Sequence, residues 1–162
     1  MSGAGSREPR EGHLDERGRA RMVGVGHKPP RERRAVAEAI VRMSPEAVRA
    51  VAEGTLPKGD AGAVARVAGI LGAKRTPELI PLCHPLPIDR AAVEVEPDPG
   101  RGEVRVEATV ETVARTGVEM EALTAAAIAA LAVYDMVKGV DAGVVVERLR
   151  LVEKTKGAAR PG

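Results

Sequence analysis

A cysteine and a histidine stand next to each other in a proline-rich segment. Cys83 and His84 lie between Pro81 and Pro85 in the apolar stretch 79–87. Prolines remove backbone donors and push the preceding residues toward extended geometry, so this stretch cannot form a regular helix. Stiff, irregular loops often carry functional side chains. The pair is therefore a candidate site, although a small buried thiol beside a turn histidine would have the same sequence.

Lysine and carboxylate side chains elsewhere are candidates for acid–base chemistry. Lys58 precedes Asp60, the predicted cap of a helix, and the positive end of a helix collects anions and lowers the pKa of an ammonium group. Asp135 and Lys138 are three residues apart on a long predicted helix, so their side chains can meet. Because their neighbours are apolar, the pair is either a buried structural ion pair or a lysine and carboxylate tuned for proton transfer. The alternative for Lys58 is an ordinary solvated lysine.

Two glutamates begin the same long helix, with Glu119 and Glu121 on either side of Met120. Acidic residues in a first turn usually complement the helix dipole, but a carboxylate there can also accept paired hydrogen bonds from a guanine-like N–H edge. The sequence has no Walker or G-x-G-x-x-G phosphate loop, and its three histidines are not at metal spacing. An enzyme built from these parts would use lysine and carboxylate catalysis on an anionic substrate, without a metal site.

Hydrophobic periodicity and cap residues predict seven elements around these side chains. Ser44 and Asp60 are predicted helix caps, and Asp98-Pro99-Gly100 predicts the turn of a hairpin. The predicted strands are 34–43, 91–96, 103–113 and 144–152, and the predicted helices are 45–53, 61–75 and 119–138. We expect an α+β fold, a ferredoxin-like sandwich whose antiparallel four-stranded sheet carries the helices on one face.

Two of the predicted helices carry packing signals. The helix over 61–75 has an apolar stripe that we expect to be buried, formed by Val64, Val67, Ala68 and Leu71. Alanines at 125–127, 129 and 130 of the long helix would let another helix approach closely. Since Tyr134 is the one aromatic residue, the core must be built from Ala, Val, Leu and Ile.

Composition limits the organisation and the partners of the chain. We expect a flexible arm over 1–20, a single catalytic domain over 21–156 and a flexible tail over 157–162. A net charge of +2 and one aromatic residue argue against a nucleic-acid partner. One cysteine permits no internal disulfide, and the longest apolar run is shorter than a membrane span. These features predict a cytoplasmic protein without a membrane partner.

Several longer motifs together resemble one family, the cyclic pyranopterin monophosphate synthases of molybdenum cofactor biosynthesis. The resemblance covers roughly residues 17 to 154, in order and at the family's spacing. It is carried by Lys58-Gly59-Asp60, Ala73-Lys74-Arg75-Thr76, Leu79-Ile80-Pro81-Leu82-Cys83-His84-Pro85-Leu86, Thr116-Gly117-Val118-Glu119-Met120-Glu121-Ala122-Leu123-Thr124 and Tyr134-Asp135-Met136.

The resemblance implies a lyase that converts a cyclised dihydro-GTP into a tricyclic pyranopterin with a cyclic phosphate, while pyrophosphate leaves. It also implies a ferredoxin-like fold, a hexamer of three dimers with active sites at subunit interfaces, and no cofactor. Asp135 matches the family's active-site aspartate, and Lys58 and Lys138 match its essential lysines, for which we expect a lowered pKa. The implied substrate-binding residues are Leu82, Cys83, His84, Met120 and Glu121, with Glu119, Arg33 and Lys154 as further pocket residues.

The chain departs from the family near its start, where many members read Met-Val-Asp-Val-Ser and this chain reads Met22-Val23-Gly24-Val25-Gly26. The missing Asp and Ser remove two hydrogen-bonding side chains, so we expect weaker substrate binding rather than an inactive enzyme. Two other functions compete: a regulatory module that senses a nucleotide without turnover, and a scaffold that passes an intermediate between enzymes. A regulatory module would give no reason for Asp135 and Lys138 to stand in an apolar helix. In a scaffold, basic surfaces would matter more than Lys58.

Overall fold

The computed structural model describes residues 12–159 of the chain. Its elements follow the predicted order, with one short helix added. They are β1 (Arg31–Arg42), α1 (Pro45–Glu53), α2 (Ala61–Lys74), α3 (Thr76–Leu79), β2 (Arg90–Asp98), β3 (Glu103–Ala114), α4 (Glu119–Val137) and β4 (Val145–Ala159).

The two ends of the chain are described only in part. Residues 1–11 of the predicted arm and 160–162 of the predicted tail lie outside the described residues. Within the arm, the Asp15 carboxylate accepts hydrogen bonds from the backbone N–H groups of Arg17 and Arg19 around a turn. β4 continues to Ala159, beyond the strand end predicted at residue 152, because it pairs with β1 along its length.

The four strands form one antiparallel sheet in the order β2–β3–β1–β4. β1 pairs with β3 from Arg31 opposite Ala114 to Arg42 opposite Glu103, and it pairs with β4 on its other side. β2 and β3 form the predicted hairpin. One hydrophobic core joins the sheet to the helices on one of its faces. The prediction of an α+β, ferredoxin-like sandwich is confirmed.

Cap residues hold the loop that carries Lys58. Ser44 caps α1 by accepting a hydrogen bond from a backbone N–H of its first turn at 3.2 Å. The helix ends at Gly54, whose left-handed backbone (φ 66°) suits a residue without a Cβ. Asp60 caps α2 in the same way, at 2.9 Å. Lys58 therefore stands on a short loop between two fixed helix ends.

The core lies between the sheet and the helices and is built mainly from alanine and valine. Every second residue of β3 is buried, as its alternating sequence predicts. α4 supplies most of the opposing surface, from Ala122, Ala125, Ala126, Ala129, Ala130, Val133 and Val137. The expectation of an aliphatic core is confirmed. The length and composition of α4 alone would let it cross a membrane, but 56% of its most apolar window is buried, as in a core helix.

The predicted apolar stripe of α2 is wrong. Val64, Val67 and Leu71 are 45%, 69% and 47% exposed, and the helix instead buries a face of small residues that includes Ala65 and Gly69. This face packs against the alanines of α4, where close approach of the two backbones leaves no room for larger side chains. The expectation that another helix approaches the α4 alanines is confirmed, and Val64, Val67 and Leu71 point outward.

Gly69→Ala should destabilise the fold although alanine favours a helix. A Cβ at position 69 would lie 2.9 Å from the Ala125 carbonyl oxygen and 2.9 Å from a Val93 methyl carbon. Overpacking of this kind costs about 1–3 kcal/mol, against a gain of about 1 kcal/mol in helix propensity. Urea unfolding at one protein concentration measures the difference. Gly62→Ala is the matched control, because its Cβ meets only the Asp60 carboxylate, at 3.3 Å; equal effects of the two substitutions would contradict the close packing.

The face of the sheet that carries no helix holds a buried carboxylate. Glu38 in β1 is 6% exposed and accepts hydrogen bonds from Arg105 and Arg150 at 2.9 and 3.0 Å. The hydrogen bond from Arg105 is the main cause of a lowered Glu38 pKa. A buried carboxylate requires such partners, so these arginines cover the centre of the sheet with their side chains.

Candidate active site

A cavity of about 400 Å³ lies beside the N-terminal end of α4. Its walls come from the N-terminal segment, the proline-rich loop and the first turn of α4. Six of the predicted binding residues line it together, namely Leu82, Cys83, His84, Glu119, Met120 and Glu121. The fold thus brings into one place two motifs that are far apart in the sequence.

A buried carboxyl group faces this cavity. Glu121 is 1% exposed, and its Oε1 accepts a hydrogen bond from the Cys83 thiol at 3.4 Å. Among the described residues, Oε2 has no hydrogen-bond partner. Burial is the main cause of the raised pKa of Glu121, because water cannot solvate its charged form. Burial first and the charge of Glu121 second raise the pKa of Cys83 to about 11, so the thiol is neutral at physiological pH.

His84 holds the N-terminal segment against the cavity. Its Nε2 lies 2.6 Å from the Val23 carbonyl oxygen, and since a carbonyl can only accept, Nε2 carries the hydrogen. Arg115 donates to the Gly26 carbonyl in the same segment. Gly24 has open space where a side chain would stand. Residues 23–26 are therefore held by hydrogen bonds from His84 and Arg115 to backbone carbonyls, and the glycines in this segment contribute no side-chain contact.

A second cavity of about 210 Å³ shares Gly117 and Glu119 with the first. Its cations come from two neighbouring strands, as Arg33, Arg34, Lys154 and Lys156. Lys154 Nζ lies 3.2 Å from Glu119 Oε1, which places this carboxylate between the two cavities. The start of α4 also lines the second cavity, and its N-cap residue, Val118, makes no side-chain cap. Arg34 already pairs with Glu153 at 2.8 Å. The other three cations and a helix N-terminus suit a multiply charged anion.

Lys58, Asp135 and Lys138 form an ion cluster at the other end of α4. Lys58 Nζ lies 2.9 Å from Asp135 Oδ2 and 2.8 Å from the Asp135 carbonyl oxygen. Lys138 Nζ lies 2.7 Å from Asp135 Oδ1. The carboxylate thus bridges two ammonium groups, and Lys58 also pairs with a carbonyl that the helix end leaves without a backbone donor.

Of the two alternatives for Asp135 and Lys138, the buried structural ion pair is wrong for the single chain. Their side chains are 56% and 55% exposed. A helix turns by about 100° per residue, so the apolar neighbours Val133 and Met136 face the core while the charged pair faces outward. Asp135 raises the pKa of Lys138 through a hydrogen bond and its charge, contrary to the lowered lysine pKa that we expected.

Asp135→Asn should change the acid sensitivity of the fold. The hydrogen bonds from Lys138 and then Lys58 lower the pKa of Asp135 to about 2 from its ordinary 3.8. A lowered carboxyl pKa stabilises the fold at pH values above the unfolded-state pKa, and this stabilisation is lost as the pH falls through the folded-state pKa. The cluster is exposed in the single chain, so under conditions in which the chain is monomeric we expect the variant to melt only about 1–2 °C below wild type near neutral pH, with the difference vanishing below about pH 2. Melting curves across this range measure it, and a difference that is constant with pH would contradict the assignment.

The length of α4 separates the two groups of predicted site residues. Glu121 lies in the first turn and Asp135 in the last turn of this 19-residue helix, about 21 Å apart at 1.5 Å per residue. A small molecule in the cavity beside Glu121 cannot reach Asp135 of the same chain. The structure therefore brings the predicted binding residues together and the predicted catalytic residues together, but it does not bring the two groups together.

Sequence reasoning did not name the cavity residues of the N-terminal segment. Val23, Val25 and Lys28 line the large cavity. The resemblance over 22–26, where the chain keeps the family's two valines, could have indicated Val23 and Val25, but it does not reach Lys28. Among residues 12–159, no group of three or more His, Cys, Asp or Glu is arranged to hold a metal ion.

Comparisons with known proteins agree on one family. The MoaC family profile matches residues 22–157. The chain is 58% identical over 145 residues to the cyclic pyranopterin monophosphate synthase of Thermomicrobium roseum, which covers 90% of this chain and 87% of that protein. Proteins of the same name from Pelotomaculum thermopropionicum and a Roseiflexus species are 56% and 54% identical over 145 residues. Each alignment covers 90% of this chain, with 85% and 92% of those proteins.

Proposed function

The chain belongs to the MoaC family, and on this premise we propose that it is a cyclic pyranopterin monophosphate synthase of molybdenum cofactor biosynthesis. Such a lyase rebuilds the purine of a cyclised dihydro-GTP as a pterin, closes a cyclic phosphate and releases pyrophosphate. The observation that supports this function best is the pair of adjoining cavities. One has a buried acceptor suited to a heterocycle, and the other has the cations for a triphosphate.

We place the heterocycle in the large cavity and the triphosphate in the smaller one. Glu121 Oε2 lacks a donor in the described residues and can accept an N–H of the heterocycle. Arg33 and Lys154 lie where they can pair with phosphate oxygens, together with the backbone N–H groups at the start of α4. Glu119 lies between the two cavities, so the sugar of the substrate would pass close to it.

Lys58 and Lys138 are the proposed acid–base groups, with Asp135 between them. Opening the purine ring and closing the pterin ring move protons between nitrogen and oxygen, and a positioned lysine can both give and take a proton. In the single chain Asp135 raises the pKa of Lys138, which makes this lysine a weaker acid, so the proposed role requires the complete site to lower its pKa. In the phosphate step an internal oxygen attacks the innermost phosphorus while its bond to pyrophosphate breaks, and ammonium groups stabilise the developing charge.

We infer that the complete site forms between two subunits. Because α4 holds the two groups about 21 Å apart in one chain, the ion cluster of one subunit must meet the cavities of another for both to act on one molecule. An interface over the exposed Leu131 and Tyr134 would also cover Asp135. Such burial would remove water from the cluster, and it would lower the pKa of a lysine that loses its carboxylate partner. The cluster of a single chain is exposed to water, and there Asp135 raises the pKa of Lys138.

Two exposed apolar surfaces support a hexamer built as three dimers. The outward side of the helices exposes Val64, Val67, Leu71, Leu131 and Tyr134, and the edge strand β4 exposes Val145, Leu149 and Val152. A trimer of dimers needs two different interfaces on each chain, and exposed apolar patches commonly mark interfaces. The edge of β4 also offers unpaired backbone groups to another copy. A free cysteine fits the reducing cytoplasm, where we place this hexamer.

The proposed function is tested by turnover of the purified chain. We expect stoichiometric release of pyrophosphate and pterin from the cyclised dihydro-GTP, with no added redox cofactor. Binding of this substrate without pyrophosphate release would overturn the proposal and favour a nucleotide-sensing module. A folded chain that neither binds nor converts the substrate would also overturn the proposal and would favour a scaffold function.

A further inference from the structure

The only cysteine of the chain contacts a buried carboxyl group of which one oxygen lacks a hydrogen-bond partner among the described residues. Cys83 Sγ lies 3.4 Å from Glu121 Oε1 and 3.9 Å from the carbonyl oxygen of His84. The shorter contact is the one to Glu121, whose side chain is almost completely buried. The other oxygen, Oε2, has no hydrogen-bond partner among the described residues.

We propose that Cys83 is a positioning residue, whose thiol donates a hydrogen bond to Glu121 Oε1 and thereby keeps Oε2 toward the cavity as the acceptor for an N–H group of the bound heterocycle. The proposal rests on the proposed function, because it assigns a task within that substrate site. It gives Cys83 no covalent or redox step.

The surroundings keep the thiol in the form that can donate. A thiolate would place a second negative charge beside Glu121, and burial together with that carboxylate raises the pKa of Cys83. The other titratable groups that line the cavity are His13, Lys28, His84 and Glu119. Of these, Glu119 is engaged by Lys154 and His84 Nε2 by the Val23 carbonyl. Glu121 is therefore the acceptor for the thiol.

The unpartnered oxygen defines the class of ligand. A buried carboxyl oxygen without a donor is costly, so the site favours a molecule that supplies one. A ring amide N–H or an exocyclic amino group on a flat heterocycle meets this requirement. An analogue with an acceptor at that position would face Oε2 without a hydrogen bond and would bind poorly.

Thiol reactivity tests the contact without any turnover assay. Since the chain has one cysteine, the pH dependence of its alkylation by iodoacetamide reports Cys83 alone. We expect Glu121→Gln to shift the pKa of Cys83 from about 11 toward its ordinary 9.0, and to raise the alkylation rate near pH 8 about tenfold. Glu119→Gln is the matched control, because it removes the same charge from the same cavity and should change the rate by less than about twofold. Equal rates in wild type and Glu121→Gln would overturn the proposal.

Steady-state kinetics test the positioning role. Cys83→Ala should raise KM about tenfold and leave kcat within about threefold, because the lost hydrogen bond orients a binding group and not a reacting one. Cys83→Ser keeps a donor and should restore KM to within about threefold of wild type. A serine variant as impaired as the alanine variant, or an alanine variant with the wild-type KM, would overturn the proposal.

The two experiments separate failure of this inference from failure of the proposed function. A wild-type chain without turnover contradicts the synthase, and the alkylation assay still decides whether Cys83 contacts Glu121. If Cys83→Ala does not fold, the serine variant and the alkylation rates of Glu121→Gln decide the outcome.

Discussion

Lys58→Ala should lose turnover by about a thousandfold, the middle of the range for removal of a general acid or base, while the chain keeps its fold and its oligomeric state. Lys58 stands on an exposed loop, and its ammonium group contacts the carboxylate and carbonyl of Asp135. The caps that fix the loop, Gly54 and Asp60, do not involve this side chain. Pyrophosphate release at saturating substrate measures the loss in kcat, and circular dichroism checks the fold.

Two further variants make this prediction specific. Arg49→Ala removes an exposed cation of α1 that pairs with Glu46 and should keep wild-type turnover. Lys58→Arg keeps the positive charge beside Asp135 but cannot give up its proton at working pH, so it should remain strongly impaired if Lys58 transfers a proton. Lys58→Ala with turnover within tenfold of wild type would show that this lysine is structural.

The elements of the fold follow closely from sequence because their signals are local. The alternation along β3 and the caps at Ser44 and Asp60 each depend on neighbouring residues, and the structure has them as predicted. The buried face of α2 did not follow, because Gly69 carries no hydrophobic signal although it makes the closest contact with α4. Periodicity identified the larger apolar residues Val64, Val67 and Leu71, and these are exposed in the single chain.

The contacts of the site are mostly long-range, and spacing cannot predict them. The pair Asp135 and Lys138 is local and was found from its three-residue separation, whereas Lys58 joins it from 77 residues away. Cys83 and Glu121 are 38 residues apart. The sequence motifs indicated the chemistry through a family resemblance. The separation of the binding residues from the catalytic residues could have been predicted, because the predicted helix 119–138 already places Glu121 near one end and Asp135 near the other.

The separation of Glu121 from Asp135 along α4 can be tested in oligomers that contain two different variants. If each site takes its cavities from one subunit and its ion cluster from another, a substitution at one end of α4 disables one half of a site and leaves the other half intact. Glu121→Gln damages the cavity half, and Lys138→Ala damages the cluster half. Each variant alone has no intact site and should have very low turnover.

Mixed oligomers of these two variants should regain activity. With random mixing of equal amounts, about a quarter of the sites join an intact cavity from the Lys138→Ala chain to an intact cluster from the Glu121→Gln chain. Turnover should therefore rise from near zero to about a quarter of wild type, after the subunits are exchanged by mild denaturation and refolding and the mixed composition is verified by native mass spectrometry. The double variant carrying both substitutions on one chain, mixed with wild type, provides the control for the exchange procedure. Verified mixed oligomers that stay inactive would show that both halves of a site come from the same chain, and would contradict the placement of the site between subunits.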